Sequence, residues 1–266
     1  ALLSSSRAMH MAPRMASPLP VASGYKASSL GAKPSMTYTY NVQGSGMTGA
    51  AGSDLELAMQ LAARQKASPD ERDKAYLSFI HALASWGVLD NLPKDASGVL
   101  HFSAPFCHDF FEATLVLPFL SARELNSNRA SSISATGSDI KDQPFWWRAW
   151  EEWTQHTFGG RVSLSLKQQD LGKERPASAG LIIAAHPEVT NGGPWRSILA
   201  NVLHSRVPGA CCVFATFYRQ EAEAAASICR AEGSDAEIRE NPYYSGRDPN
   251  EVGTFHRFAV IVSAAQ

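Results

Sequence analysis

The chain has 266 residues, 44% of them hydrophobic and 18% charged, with a formal net charge of −1. That hydrophobic share excludes wholesale disorder and collagen-like repetition, and no apolar run approaches the roughly 18 residues that span a bilayer. The near-neutral charge offers no electrostatic footprint for nucleic acid or anionic lipid, and four cysteines without a C-x-x-C pair make no disulfide scaffold.

The neutral total is a cancellation. Residues 1–53 contain no Asp or Glu, while Arg7, Arg14, Lys26 and Lys33 are basic. The rest of the chain sets 20 basic residues against 25 acidic ones and is therefore mildly acidic. A basic, acid-free segment rich in Ser, Ala, Met and Pro has the composition of an organelle transit segment, a plastid one above all. A flexible tail is the other reading, and mitochondrion and cytoplasm are the alternative compartments.

Helical spacing begins at Asp54, with Leu55, Ala58, Met59 and Ala62 in phase. Ser68-Pro69-Asp70-Glu71 then starts a second helix: Ser68 caps, Pro69 suits the first helical position and Glu71 completes a capping box. Tyr76, Phe79, Ile80 and Leu83 share one face of that helix, which ends near Trp86-Gly87. These two helices form a cap over residues 54–96, ahead of a larger domain at 97–266.

From Ser97 strands and helices alternate. Val99–Phe102 reads as a strand, followed by a loop and a helix from about Asp109 to Leu120. The polar stretch Arg123–Ser131 leads into a strand ending "ISATGSDI"; a helix around Phe145–Phe158, Gly159-Gly160 and a strand at Val162–Lys167 come next. "AGLIIAAHPEV" is continuously apolar, as a strand buried on both faces requires. Pro194 opens a helix with Trp195, Ile198, Leu199, Val202 and Leu203 on one face. Pro208-Gly209 turns the chain into the apolar strand "ACCVFATF", in which Cys211 and Cys212 point to opposite faces as packed, reduced thiols. A helix from about Gln220 to Glu232 stops at Gly233. Strands near Ala236–Arg239 and Phe255–Val262, joined by a loop instead of a helix, pair as an antiparallel hairpin at the sheet edge. No internal repeat is evident. The pattern predicts an α/β, Rossmann-like doubly wound sheet with an antiparallel last strand.

Four landmarks in this order resemble the class I S-adenosylmethionine-dependent methyltransferases, over about Ser97 to Gln266. They are "TGSDI", "QQDLG", "AAHPEV" and "HSRVPGACCVFATF". The resemblance implies a parallel sheet ending in an antiparallel strand, with the ligand over the strands' carboxyl ends. It also implies roles. Asp139, with Ile140 beside it, would hold the ribose hydroxyls, and Asp170 and Leu171 would approach adenine. The 103–107 loop, including Ser103, Ala104 and Pro105, would receive the methionine part. His186 and Glu188 would serve the acceptor, as general base where the nucleophile must lose a proton. A carboxylate accepts two hydrogen bonds from vicinal hydroxyls, which suits Asp139 to a ribose. Capping of the following turn is the other reading of Asp139 and Asp170, and a hydrogen-bonded histidine closing a strand is the other reading of His186.

The first loop departs from the family. An acid and three glycines are usual there, because only glycine lets backbone approach the methionine part so closely. Here the segment is "VLHFSAPFCHDFF": His101 stands at the acid's position, and Ser103, Pro105 and Cys107 stand near the glycines. Pro105 removes a donor and fixes φ, while Phe106 adds bulk. His101, Cys107, His108 and Asp109 include metal-competent groups, but their spacing matches no zinc pattern, and no metal site is assigned. Four of the six tryptophans fall within Trp146–Trp153. Trp146, Trp150 and Trp153 share a face and Trp147 points elsewhere, which suits either core packing or an interface.

Two functions follow. One is an S-adenosylmethionine-dependent methyltransferase acting on an unidentified acceptor. The alternative is a catalytically inactive methyltransferase-fold subunit of a plastid complex, such as an algal photosystem. Such a subunit would be anchored by residues 1–53 and contacted through the Trp146–Trp153 helix.

Overall fold

The computed structural model describes residues 71–244 and 256–263. The leader, the helix expected from Asp54, the Ser68–Asp70 start signal and most of the loop before the last strand lie outside the described residues.

Helices and strands alternate before the closing hairpin, with one exception. In chain order they are α1 (Glu71–Ser85), β1 (Val99–Pro105), α2 (Ala113–Leu120), β2 (Ser132–Asp139), α3 (Pro144–Phe158) and β3 (Val162–Gln168), then β4 (Ala179–Ala185), α4 (Trp195–Leu203), β5 (Arg206–Thr216), α5 (Arg219–Ala231), β6 (Asp235–Glu240) and β7 (Phe258–Ser263). The exception is that β3 runs to β4 through a turn segment without a helix. The strands form one sheet in the order β3-β2-β1-β4-β5-β7-β6. β1 to β5 are parallel, and β7 runs antiparallel between β5 and β6. This is the doubly wound sheet with an antiparallel last strand that the alternation predicts. The strand order reverses between β1 and β4, so the crevice of this fold opens above their carboxyl ends.

Strand alternation divides the core between the two faces. Leu100, Phe102 and Ala104 of β1, with Leu181 and Ile183 of β4, face α1, α2 and α3. Ile182, Ala184, Cys212 and Phe214 face α4 and α5. Cys211 packs against the first group and Cys212 lies in the second, as their adjacency requires. Tyr76, Phe79 and Leu83 of α1 join the same core as β1.

Three local differences from the sequence pattern have physical causes. β1 runs past Phe102 to Pro105, because Ser103, Ala104 and Pro105 continue in register with Thr136, Gly137 and Ser138. The next helix starts at Ala113, not Asp109, since Phe106, His108 and Phe110 take left-handed φ values of 59°, 46° and 52°. Pro208-Gly209 lies within β5 and does not precede it. A step of two residues along β4, Ala179 to Leu181, matches a step of five along β5, Arg206 to Cys211. The surplus forms a bulge, with Gly209 at φ 75°.

Candidate site at the carboxyl ends of the strands

Asp139 ends β2 with its carboxylate committed to backbone. Oδ2 accepts the N–H of His108 at 3.0 Å, and Oδ1 accepts the N–H of Lys141 at 3.0 Å. The first bond ties the β1 loop to the end of β2, helped by the Cys107 N–H donating to the Ser138 carbonyl at 3.1 Å. Asp139 thus caps the turn that follows it, as the plainer reading of the sequence had it. A carboxylate offers about four acceptor directions, so one remains on each oxygen. Ile140 stands beside it with 63% of its surface exposed.

Two indoles fix the same loop from the other side. Trp147 Nε1 donates to the His108 carbonyl at 2.7 Å, and Trp150 Nε1 donates to the Asp109 carbonyl at 2.6 Å. Trp146 is 40% exposed and stacks on Trp150, which meets Trp153 edge-on, so these three share a face as their spacing predicts. Trp147, pointing elsewhere, is buried and holds the loop.

Loop backbone keeps the left-handed turns that glycine would make, but with side chains attached. Each such residue costs roughly 1–2 kcal/mol relative to a relaxed conformation. Cys107 packs directly on Gly137, where an added Cβ would lie 2.9 Å from its sulfur. Burial, and then the charge of Asp139, push the Cys107 thiol far up. His101, at the acid's position in the family's pattern, belongs to another place altogether. Its Nε2 lies 2.9 Å from Asp95 Oδ2, in the segment leading into β1.

At the end of β3, the Gln169 N–H donates to the Asp139 carbonyl at 2.8 Å, which sets the two strand ends side by side. Asp170 then closes its own turn: Oδ1 accepts the Gly172 N–H at 3.0 Å, and Oδ2 pairs with Lys173 Nζ at 2.9 Å. The Lys173 ammonium, followed by the Gly172 N–H, holds the Asp170 carboxyl below its usual value. Leu171 is only 4% exposed and faces the core, while its carbonyl accepts Asn201 Nδ2 at 2.8 Å. This turn abuts the start of α4: a Cβ on Gly172 would meet Pro194 at 3.6 Å.

Above the switch point, the ring of Phe106 meets Trp195 edge-on at 5.4 Å. Ser103, Ala104 and Pro105 are buried beneath this loop. Sequence reading flagged the bulk of Phe106 but not Trp195, which looked like an ordinary core position.

At the end of β4, His186 takes φ 56° and donates its N–H to the Ala215 carbonyl at 2.8 Å. Its imidazole lies 4.8 Å from that of His256, centroid to centroid. His256, just before β7, is 1% exposed, has φ 74°, and packs against Tyr76 at 5.1 Å and Phe79 at 5.3 Å. Burial, and then the charge of Glu112, raise the Tyr76 hydroxyl far above its usual value. Glu188 is exposed and accepts Asn191 Nδ2 at 3.3 Å in the following turn. His256 escaped sequence reading because it reaches His186 from a distant part of the chain, and Tyr76 joins the group only through its contact with His256.

The residues present fit one half of the cofactor that this fold implies. Asp139, Ile140 and Asp170 present two hydrogen-bond-accepting carboxylates and an apolar side chain on adjacent strand ends, a set suited to a nucleoside. The methionine half is altered, with Pro105 lacking an N–H and Phe106 set against Trp195. Among the described residues no group of three His, Cys, Asp or Glu side chains is placed to hold a metal. None of their helices is long and apolar enough to cross a membrane.

No protein-family model matches the sequence, and no curated protein matches it. Solved structures do. Magnesium protoporphyrin IX methyltransferase (ChlM) from Synechocystis PCC 6803 with bound SAM is 14% identical, covering 82% of this chain and 100% of its own, with a TM-score of 0.49. N-methyltransferase NodS from Bradyrhizobium japonicum WM9, in complex with S-adenosyl-l-homocysteine, is 14% identical over 81% of this chain and 100% of its own, with a TM-score of 0.45. An O-methyltransferase family protein from Burkholderia thailandensis is 11% identical over 80% of this chain and 63% of its own, with a TM-score of 0.41. The strand order and the antiparallel β7 give this chain the class I methyltransferase fold.

Proposed function

We propose that this chain is an S-adenosylmethionine-dependent methyltransferase. The observation that carries the reading is the partly exposed carboxylate of Asp139, with an acceptor direction left on each oxygen, beside the exposed Ile140. Asp139 would accept the ribose hydroxyls, Ile140 would lie along a face of the adenine, and Asp170 would meet its edge. Leu171 would form the floor beneath. When bound, the cofactor supplies an electrophilic sulfonium methyl. This chain's own residues then orient and handle protons. Asp139 and the Trp147 and Trp150 indoles hold the β1 loop, and the Phe106–Trp195 contact excludes water above the switch point. His186, at the end of β4, takes the proton of a hydroxyl or amine acceptor, with Glu188 at the acceptor's entry. Positioning supplies much of the acceleration in such a displacement.

Isothermal titration of the full chain with S-adenosylmethionine tests this. Saturable heat that Glu188→Gln leaves intact and Asp139→Ala abolishes is the expected result; absence of heat in the parent protein sinks the reading.

A second reading is favoured by Pro105 and by the Phe106–Trp195 contact, which together remove a donor and fill space at the methionine end. On that reading the chain is a methyltransferase-fold subunit that transfers nothing. It would be held in a plastid assembly through residues 1–53 and the exposed Trp146 face of α3. Loss of co-purification on deleting residues 1–53, together with no heat from the cofactor, would favour it.

A further inference from the structure

Two histidines in left-handed conformation meet at the same end of the sheet, although they lie 70 positions apart in sequence. Such backbone disfavours any side chain with a Cβ and persists only where surrounding structure enforces it. The enforcement is visible on both sides. His186 is held by its N–H bond to Ala215 across the β4–β5 pair. Around His256, Asn241 donates its own N–H to the Arg257 carbonyl at 2.8 Å. Asn241 Nδ2 also reaches Ser78 Oγ of α1 at 3.1 Å and the His256 carbonyl at 3.4 Å. Tyr76 and Phe79 of α1 then close on the His256 ring. The result is two imidazoles 4.8 Å apart and tilted by 39°, one of them sealed from solvent.

We propose that His186 and His256 act as a pair holding at most one proton near neutral pH: burial keeps the His256 ring neutral, so the proton taken up belongs to the less buried His186, and His256 is the positioning residue that holds the His186 ring. This rests on the reading of His186 as the acceptor-side base. In the step it serves, the O–H or N–H bond of the acceptor breaks. The electron pair stays on the acceptor's oxygen or nitrogen, and the proton moves to the imidazole nitrogen of His186. The groups around the pair are compatible with this. α1 contributes the Tyr76 hydroxyl, neutral because burial disfavours its anion, with Glu112 acting on it from the start of α2. Glu188 follows His186 by two residues and is turned to Asn191, and Arg257 is engaged by Glu240 at 2.9 Å. Two like charges at this separation repel strongly, so the two protonations separate by about two pH units.

Side-chain NMR titration of all histidines in the full chain, without added cofactor, tests the pair. The expected result is two transitions about two pH units apart assigned to His186 and His256. His256→Gln should collapse the His186 transition to a single step near the ordinary imidazole value of about 6.5. Because His256 is buried, the converse variant His186→Gln supplies the second arm, read on His256, with circular dichroism to verify folding. Independent single transitions in the parent protein, unmoved by either substitution, would overturn the proposal. Failure of S-adenosylmethionine to bind would overturn the function proposed above and leave this titration unchanged, so the two failures are distinguishable.

Discussion

Replacing Asp139 by asparagine keeps the side chain's shape but leaves one acceptor oxygen where two now work. The carboxylate receives the N–H groups of His108 and Lys141, each at 3.0 Å. Asparagine can hold one of them and turns its own NH2 toward the other. Losing one hydrogen bond to a charged group and opposing two donors costs about 2 kcal/mol. For a domain of this size each kcal/mol lowers Tm by about 2–4 °C, so Asp139→Asn should melt roughly 4–8 °C below the parent. The same change removes an acceptor from a bound ribose and should weaken S-adenosylmethionine binding by at least about tenfold. Differential scanning calorimetry and titration calorimetry read the two effects separately. A variant that melts with the parent would refute the anchoring of the β1 loop by Asp139. One that binds the cofactor as tightly as the parent would refute the ribose role.

Other consequences are as direct. His108 is exposed and left-handed, so His108→Gly relieves strain while sacrificing only a long 3.7 Å approach to Asp109; Tm should rise by about 1–4 °C. The Asp170 carboxyl is held low by Lys173, so this pair stabilises the fold above the ordinary carboxylate pKa of about 4. That contribution is lost as pH falls through the lower folded value. Lys173→Ala should move the Asp170 titration, followed by carboxyl NMR, up toward the ordinary value; an unmoved midpoint counts against the pairing. Burial pushes Cys211 and Cys229 each up to about 12, and Cys107 and Cys212 upward as well. Iodoacetamide at pH 7.5 should leave all four thiols unmodified until denaturant is added, and rapid labelling of the folded chain would contradict their burial.

Where neighbouring residues decide the structure, the sequence was legible. The apolar run at β4, the face of α4 and the opposite orientation of Cys211 and Cys212 all depend on periods of two or 3.6 residues. The antiparallel β6–β7 pair was legible because the sequence between the two strands carries no helical spacing. Extension of β1 to Pro105 was not, because it depends on register with β2. Nor was the bulge at Pro208-Gly209, which depends on how β5 passes β4. Within the candidate site, Asp139, Asp170 and His186 were singled out by the family resemblance of the segments that hold them. Their partners were not: Trp147 reaches His108 from α3, Trp195 reaches Phe106 across the switch point, and His256 reaches His186 from the far end of the chain. Local patterns carry no information about such meetings.

Ultraviolet cross-linking of radiolabelled S-adenosylmethionine to the full chain, with mass-spectrometric mapping of the adduct, tests the cofactor site most directly. The expected result is a saturable adduct on peptides spanning Asp139–Lys141 or Asp170–Gly172, competed away by S-adenosylhomocysteine. No adduct, or one mapping elsewhere, would contradict the assignment of these strand ends to the nucleoside.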